Sequence, residues 1–554
     1  MGKKVLPKLS IDELKKIYDF DYIREHFYDN NCTLDDLRGD IINCYENNLD
    51  ITQLSAEGPN TTRVTNWFVK KTQHKATSIR AKMSPARAIM DDDALCQILN
   101  RIQSHPHFFS VKETTMEQLK QRGMLEFLDI NTDEMEDGPK KESIIQVQQE
   151  VRDTINKADL QEVRRALSHI PSFHKVSQFP NHVAQRIYEM YAPKQGGIIL
   201  DSSAGWGNRM MAAMCSKYHY KYLGTDPNSE MHPNYYGLAE LIWDTLYKNN
   251  GLTMNKKFPE DFIDIRDQGS EFDIPEWHNM SGYQVLDTPE GTMLENKFTG
   301  EHTILPEKLE VKEYSDHGFT HPNPETGKGV CDTGKLNTTG AKLPPIYQTH
   351  EPEIFNSGIG DLSFTSPPYF FLECYTEDSQ NGDLSTGQSA GKGDNYLRWV
   401  KEFMYPTVIN HFNFLKPGGY YIYNLKDLPK DNLYLYSDWL SVCLDVGFEL
   451  VEQPVMVLKA RRQFGKKADG SDKIDFNGGT ERVAVLRKPL TPDANTFNPQ
   501  DKELMLHIQQ YFLYPIIKAC RPEQLESKLP QPVINYLEKK FEGKRYRFMK
   551  KKKS

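Results

Sequence analysis

Apolar positions along the chain change period several times, and those changes outline its organisation. Near the N-terminus, Leu14, Ile17 and Tyr18 follow Ser10-Ile11-Asp12-Glu13 at helical spacing. A second helical stripe, Leu37, Ile41 and Ile42, follows Thr33-Leu34-Asp35-Asp36. Two such helices joined by a polar turn suit either a helix-turn-helix or plain helical packing. Residues 1–125 therefore read as a helical module, with DNA or partner contact as its candidate role. Residues 129–142 are acidic and irregular, with Gly138-Pro139 among them, which reads as a linker. Ile144, Val147, Val151 and Ile155, then Leu160, Val163 and Leu167, mark one or two amphipathic helices. Linker and helices together span 126–170.

From Phe173 onward short apolar runs alternate with helical stripes. Asn181 to Tyr191 reads as a helix ending before Pro193. Ile198-Ile199-Leu200 reads as a buried strand stopping at Asp201, followed by a glycine-containing turn and an apolar helix from Met210 to Met214. Tyr220 to Thr225 is a second strand, ending at Asp226. Further strands are expected at Asp361–Phe364, Tyr420–Tyr423, Pro454–Leu458 and Arg482–Leu486. Alternation of strands and helices predicts a parallel, doubly wound α/β sheet over 171–250 and 341–490. Residues 251–340 interrupt the rhythm with polar, turn-rich sequence and β-like stretches at Tyr283–Leu286 and His302–Leu305. So long a gap reads as an insertion between the second and third strands, with target recognition or a lid as its candidate role. The third strand's end is sought near His350–Ile354. Residues 491–554 read as a helical extension with a basic tail.

Bulk properties narrow the classes. The 554 residues exceed what one core usually serves. Charged residues make up 26% and hydrophobic ones 38%, a globular composition without an apolar run long enough for a bilayer. Met1 to Pro7 carries charge but no apolar stretch, so it is not read as a secretory signal. The eight cysteines form no Cys-x-x-Cys pair, so no metal site is expected and a reducing, cytoplasmic setting fits. The net charge of −9 excludes a uniformly basic nucleic-acid binder but leaves room for a local basic groove.

Three strand ends carry candidate chemistry. Ile198 to Arg209 (IILDSSAGWGNR) puts small residues after a buried strand, where the backbone can turn sharply and approach a ligand. It is neither Gly-x-Gly-x-x-Gly nor a P-loop, and a strand-turn-helix with incidental glycines is the plain alternative. Asp226 ends the second strand, where a carboxylate can accept hydrogen bonds from a ribose diol; helix capping is the plain alternative. In Thr365-Ser366-Pro367-Pro368-Tyr369-Phe370, two prolines fix two φ angles and leave their carbonyls as acceptors. Tyr369 and Phe370 add flat faces on which a base can stack.

Together these motifs resemble the amino-group DNA methyltransferases, whose signature is Asp/Asn/Ser-Pro-Pro-Tyr/Phe. The likeness covers residues 173–250 and 345–490 and includes Leu415-Lys416-Pro417-Gly418-Gly419 before the next strand. The resemblance implies an α/β, doubly wound Rossmann-like methyltransferase sheet. It implies S-adenosylmethionine as cofactor, held by Asp201, Ser202, Ala204, Gly205, Gly207, Arg209, Asp226 and Thr365. Phe179-Pro180-Asn181 stands where the family has a pocket-lining segment. Ser366 and the Pro367 carbonyl would hold the target amino nitrogen, beside Pro368, with Tyr369 stacked on a flipped base. Serine at 366 leans toward cytosine N4 over adenine N6. RNA as acceptor, or a non-catalytic nucleic-acid-binding protein, are the rival readings. The Ser-Ala-Gly-Trp-Gly turn departs from the family's commoner Pro-Phe-x-Gly-x-Gly. Arg461, Arg462, Lys466 and Lys467 form a basic stretch suited to DNA phosphates or to a solvated hairpin.

Overall fold

The computed structural model describes residues 8–46, 62–78, 83–105, 109–167, 170, 173, 176, 178–248, 256–270, 283–288, 291–296, 302–304, 319–320, 358–370, 373–375, 399, 403–426, 435–452, 455–457, 461–466, 472–477 and 480–490. Its centre is a mixed sheet. The strands are β1 (Ile198–Asp201), β2 (Lys221–Thr225), β3 (Ile263–Arg266), β4 (Gly360–Thr365), β5 (Leu415–Leu425), β6 (Glu449–Glu452), β7 (Val455–Val457) and β8 (Thr480–Arg487). Their order is 3-2-1-4-5-8-7, with β6 also paired to β8. Strands β1 to β5 run parallel, and β8 is antiparallel to β5. This is a doubly wound, Rossmann-like α/β sheet. Chain order reverses between β1 and β4, and in such sheets ligands bind outside the carboxyl ends at that reversal.

Helical segments cover the sheet for readable reasons. Asn181–Tyr191 and Asn208–Met214 are buried along their lengths, as expected of helices beside parallel strands. At the far, amino-terminal end of the sheet, Lys416 Nζ lies 2.7 Å from Asp361 Oδ1, and Asp361 Oδ2 accepts the Ile198 N–H at 2.8 Å. That buried pair ties β1, β4 and the start of β5 together.

The third strand lies earlier than expected. Ile263 and Ile265 face inward and pair β3 with β2, so the stretch 251–340 begins with a sheet strand. What interrupts the sheet follows Arg266. It includes the antiparallel strands Tyr283–Thr288, Gly291–Asn296 and His302–Ile304, and Phe319–Thr320 pairs with β7. His350–Ile354 and residues 491–554 lie outside the described residues.

The N-terminal helices start where their caps indicate. Ser10 and Glu13 form a reciprocal capping box, and Thr33 and Asp36 exchange equivalent bonds before Leu34–Glu46. Two buried clusters divide these helices between them. Leu37, Ile41, Cys44, Val64, Val69 and Ala76 join the core around the sheet. Leu14, Phe27, Leu95 and Ile98 pack with Leu160 and Val163 of one 29-residue helix, Pro139–Leu167. Helix Thr62–Lys75 reaches the sheet-bearing half directly: Lys75 pairs with Glu230 at 2.9 Å, and Gln73 donates to the Val176 carbonyl at 2.8 Å. Beyond it, Thr77 and Ser78 pair antiparallel with Cys374 and Glu373, shortly after Tyr369.

Candidate active site

The carboxyl ends of β1, β2 and β4 bring the three sequence motifs together. After β1 the chain turns through Gly205 (φ 63°) and Gly207 (φ 82°), left-handed conformations that favour glycine. Gly207 then caps helix Asn208–Met214. Across the chain reversal, Ser202 Oγ lies 3.5 Å from Thr365 Oγ1 at the end of β4. Ala204 is buried, and its N–H donates to the Thr225 carbonyl at 3.0 Å, which fixes the turn on β2. Phe179 belongs to the same corner. Its carbonyl accepts from Asn208 Nδ2 at 2.8 Å, and its ring meets Phe364 edge-on at 5.3 Å.

The two acidic strand ends differ. Asp201 is fully enclosed, with Oδ2 2.6 Å from both Arg209 Nε and Tyr222 Oη. Arg209 also bonds Asp201 Oδ1 at 3.2 Å and the Ser203 carbonyl. Burial works against the Arg209 charge, but attraction and hydrogen bonding to Asp201 hold its pKa above the ordinary value. Asp201 and Arg209 are therefore spent on bracing the turn. The sequence carries a signal for this: an arginine in the first turn of a helix opposes the dipole, so it needs a nearby acid.

Asp226 is half-buried. Its Oδ1 accepts the Asn228 N–H at 2.9 Å, and its Oδ2 accepts the Gly205 N–H at 3.2 Å and lies 2.5 Å from Tyr235 Oη. Burial pushes its pKa up to about 6, against the hydrogen bonds from Tyr235, Asn228 and Gly205 and the charge of His232. An Oδ1 with a single hydrogen bond from the protein's described groups retains acceptor capacity. Those features fit a group carrying hydroxyl donors, such as a ribose.

The Pro-Pro segment leaves β4 at the reversal. Pro367 is buried, while Ser366, Pro368 and Tyr369 are partly open. Ser366 Oγ donates to the Asn424 carbonyl at 3.4 Å, at the end of β5. Phe370 has φ 54°, an uncommon value for a bulky residue, and packs its ring 5.3 Å from Trp399. Tyr375 completes the corner, with its ring 6.3 Å from Trp206 of the turn.

Sequence reading missed His411. It lies fully buried in helix Tyr405–Phe414, with Nε2 2.8 Å from Ser202 Oγ and Nδ1 2.6 Å from Ser363 Oγ. Burial pushes its pKa down to about 3, so it is neutral and links the ends of β1 and β4. Nothing local marks it, because Thr407, Asn410 and Asn413 are also polar in the same helix.

The basic stretch is not part of this corner's strands. Arg461–Lys466 pairs antiparallel with Asp472–Asn477 as a hairpin sheet separate from the central one, and Lys467 lies outside the described residues. Among the described residues, no His/Cys/Asp/Glu group could hold a metal ion, and no helix is long and apolar enough to cross a membrane.

No family model and no curated protein matches the chain. Among solved structures, it is similar to a SAM-dependent O-methyltransferase of Thermotoga maritima at 9% identity and TM-score 0.24, over 57% of this chain and 67% of that one. A SAM-dependent methyltransferase of Methanosarcina mazei shows 11% identity and TM-score 0.23, over 57% of this chain and 100% of that one. A variant of the 16S rRNA (adenine(1408)-N(1))-methyltransferase of Catenulisporales acidiphilia shows 8% identity and TM-score 0.20, over 58% and 96%. Likeness at that level says nothing about activity, which has to be argued from this chain's own residues.

Proposed function

We propose that this protein transfers a methyl group from S-adenosylmethionine to the exocyclic amino nitrogen of a flipped DNA base, with cytosine N4 favoured. The observation that carries the reading is the convergence, at the sheet's chain reversal, of a glycine turn, an acidic strand end and Ser366-Pro367-Pro368-Tyr369. Asp226 would accept the ribose hydroxyls. Gly205 and Gly207 let the backbone approach, with Ser202 and Thr365 across the reversal from each other. When bound, S-adenosylmethionine supplies an already reactive methyl sulfonium.

The protein's own work is then placement. Ser366 and the Pro367 carbonyl would accept hydrogen bonds from the target amino group. That holds the nitrogen in line and draws electron density from the N–H bonds onto nitrogen. Tyr369 would stack on the extruded base and offset part of the cost of unstacking. Ser366 is neutral, so the proton lost after transfer passes to solvent rather than to this side chain. Arg461, Arg462, Lys466 and Lys467 are proposed to contact phosphate, where their effect would weaken with salt.

Replacement tests the assignment. Ser366→Ala is expected to lower kcat on the order of 10²-fold, the scale of one lost transition-state hydrogen bond. Tyr369→Ala is expected to lose about 1–3 kcal/mol of base binding. Full methyl transfer by both folded variants would remove the site from the proposal.

A further inference from the structure

Tyr235, Asp226 and Gly205 hold two acceptors around one hydroxyl proton. Tyr235 Oη lies 2.5 Å from Asp226 Oδ2 and 2.6 Å from the Gly205 carbonyl oxygen. A tyrosine hydroxyl donates one hydrogen, while a carboxylate and a carbonyl donate none. With Asp226 ionised, one of these short contacts sets lone pair against lone pair. With a proton on Asp226, the chain closes: Asp226 O–H donates to Tyr235 Oη, and Tyr235 O–H donates to Gly205.

Among the described residues, the surroundings supply no strong cation to the carboxyl group. On the helix that carries Tyr235, His232 Nε2 faces the Asp226 backbone carbonyl at 3.0 Å and lies 4.0 Å from Asp267. From β3, the Arg266 guanidinium is 2.7 Å from Asp264, and its backbone carbonyl accepts the Asp226 N–H. Behind the turn, Arg209 is paired with Asp201. Tyr235 is itself fully buried, and burial first, then Asp226, drives its own pKa well up, so it stays protonated.

We propose that Asp226, Tyr235 and Gly205 form a proton-holding unit, and that a ligand bearing a vicinal diol discharges it. On binding, two hydroxyls donate to the carboxylate, the Asp226 proton leaves to solvent base, and Tyr235 keeps its hydrogen. Nucleoside binding at this site is then linked to release of a proton. Tyr235 acts as a positioning residue that sets the pH at which the site accepts its ligand.

This inference rests on the proposed nucleoside site, and its test separates the two. S-adenosylhomocysteine, which carries the same nucleoside and no transferable methyl, is titrated calorimetrically into the full chain. The titration is repeated at pH 5.5 and 8.0, in buffers of different ionisation enthalpy. Most of one proton is expected to be released at pH 5.5 and almost none at 8.0. Affinity should fall about tenfold per pH unit below about 6. Tyr235→Phe removes the acceptor of the Asp226 proton and the lone-pair contact that disfavours the ionised carboxyl, so the fall should begin at lower pH. His232→Gln should leave the profile in place, and Asp226→Asn should flatten it. Binding that is independent of pH overturns the proton link, as does a profile that survives Asp226→Asn or disappears in His232→Gln. A uniform loss in Tyr235→Phe without a shifted profile reduces Tyr235 to packing and overturns its role. Absence of binding at every pH overturns the nucleoside site itself.

Discussion

Asp201 and Asp226 end neighbouring parallel strands, and sequence pattern assigns both to the same ligand. Their surroundings separate them. Asp201 has a guanidinium and a phenol within hydrogen-bonding distance and no exposed surface. Asp226 has backbone donors and a phenol shared with a second acceptor, and it is partly open. A fully satisfied buried acid holds the turn in place, whereas an over-shared acid at the same carboxyl end of the sheet keeps capacity for a ligand. The glycine turn needs both, one to fix its path and one to meet what it approaches.

The largest expected difference is in stability. Asp201→Ala leaves Arg209 buried without its carboxylate and should cost about 3–5 kcal/mol, read from urea unfolding. Asp226→Ala should not approach that loss. Equal costs would erase the distinction between a brace and a ligand acid. Next comes binding. Asp226→Asn should weaken S-adenosylhomocysteine by roughly ten- to a hundredfold, about 1.4–2.8 kcal/mol on the calorimetric scale. The same substitution should stabilise the free protein at pH 7.5. The folded-state pKa of Asp226 is raised to about 6, so its contribution favours folding below the unfolded value and is lost as pH rises through 6. The substituted amide cannot ionise and can donate to Tyr235, which should recover about 1 kcal/mol after allowing for partial exposure. A lowered thermal midpoint in that variant would contradict the over-shared geometry. Smallest is Tyr222→Phe, which removes one of the Asp201 hydrogen bonds. It should cost about 1 kcal/mol of stability and leave ligand affinity unchanged.

Much of this architecture is legible from the pattern of residues. Strands β1, β2 and β4 fall close to their apolar runs because buried parallel strands need continuous apolar side chains, and antiparallel β8 does so because Val483 to Leu486 are buried on both faces. β3 escapes notice because Ile263-Asp264-Ile265-Arg266 has two inward residues in polar surroundings. The capping boxes at Ser10 and Thr33 give helix starts but not helix destinations. That Val64 and Val69 join the sheet's core, while Leu14 and Leu95 join another, depends on contacts far apart in the chain. The site divides in the same way. Motif order marks the corner, because strand ends are local. The partners that decide each acid's role lie on other elements: Tyr222 on β2 for Asp201, and Tyr235 on a helix for Asp226. His411, which links Ser202 to Ser363 from a helix 209 residues past Ser202, has no local signature.

The central claim is methyl transfer to an amino nitrogen in DNA. Its most direct test incubates the full chain with methyl-labelled S-adenosylmethionine and with duplex DNA, single-stranded DNA and RNA separately. Each substrate is then digested to nucleosides for mass spectrometry. The expected result is label on DNA, at N4 of deoxycytidine. Label at N6 of deoxyadenosine would keep the site and overturn the base preference. Label confined to RNA, or none on any nucleoside while S-adenosylhomocysteine binds, would contradict the account.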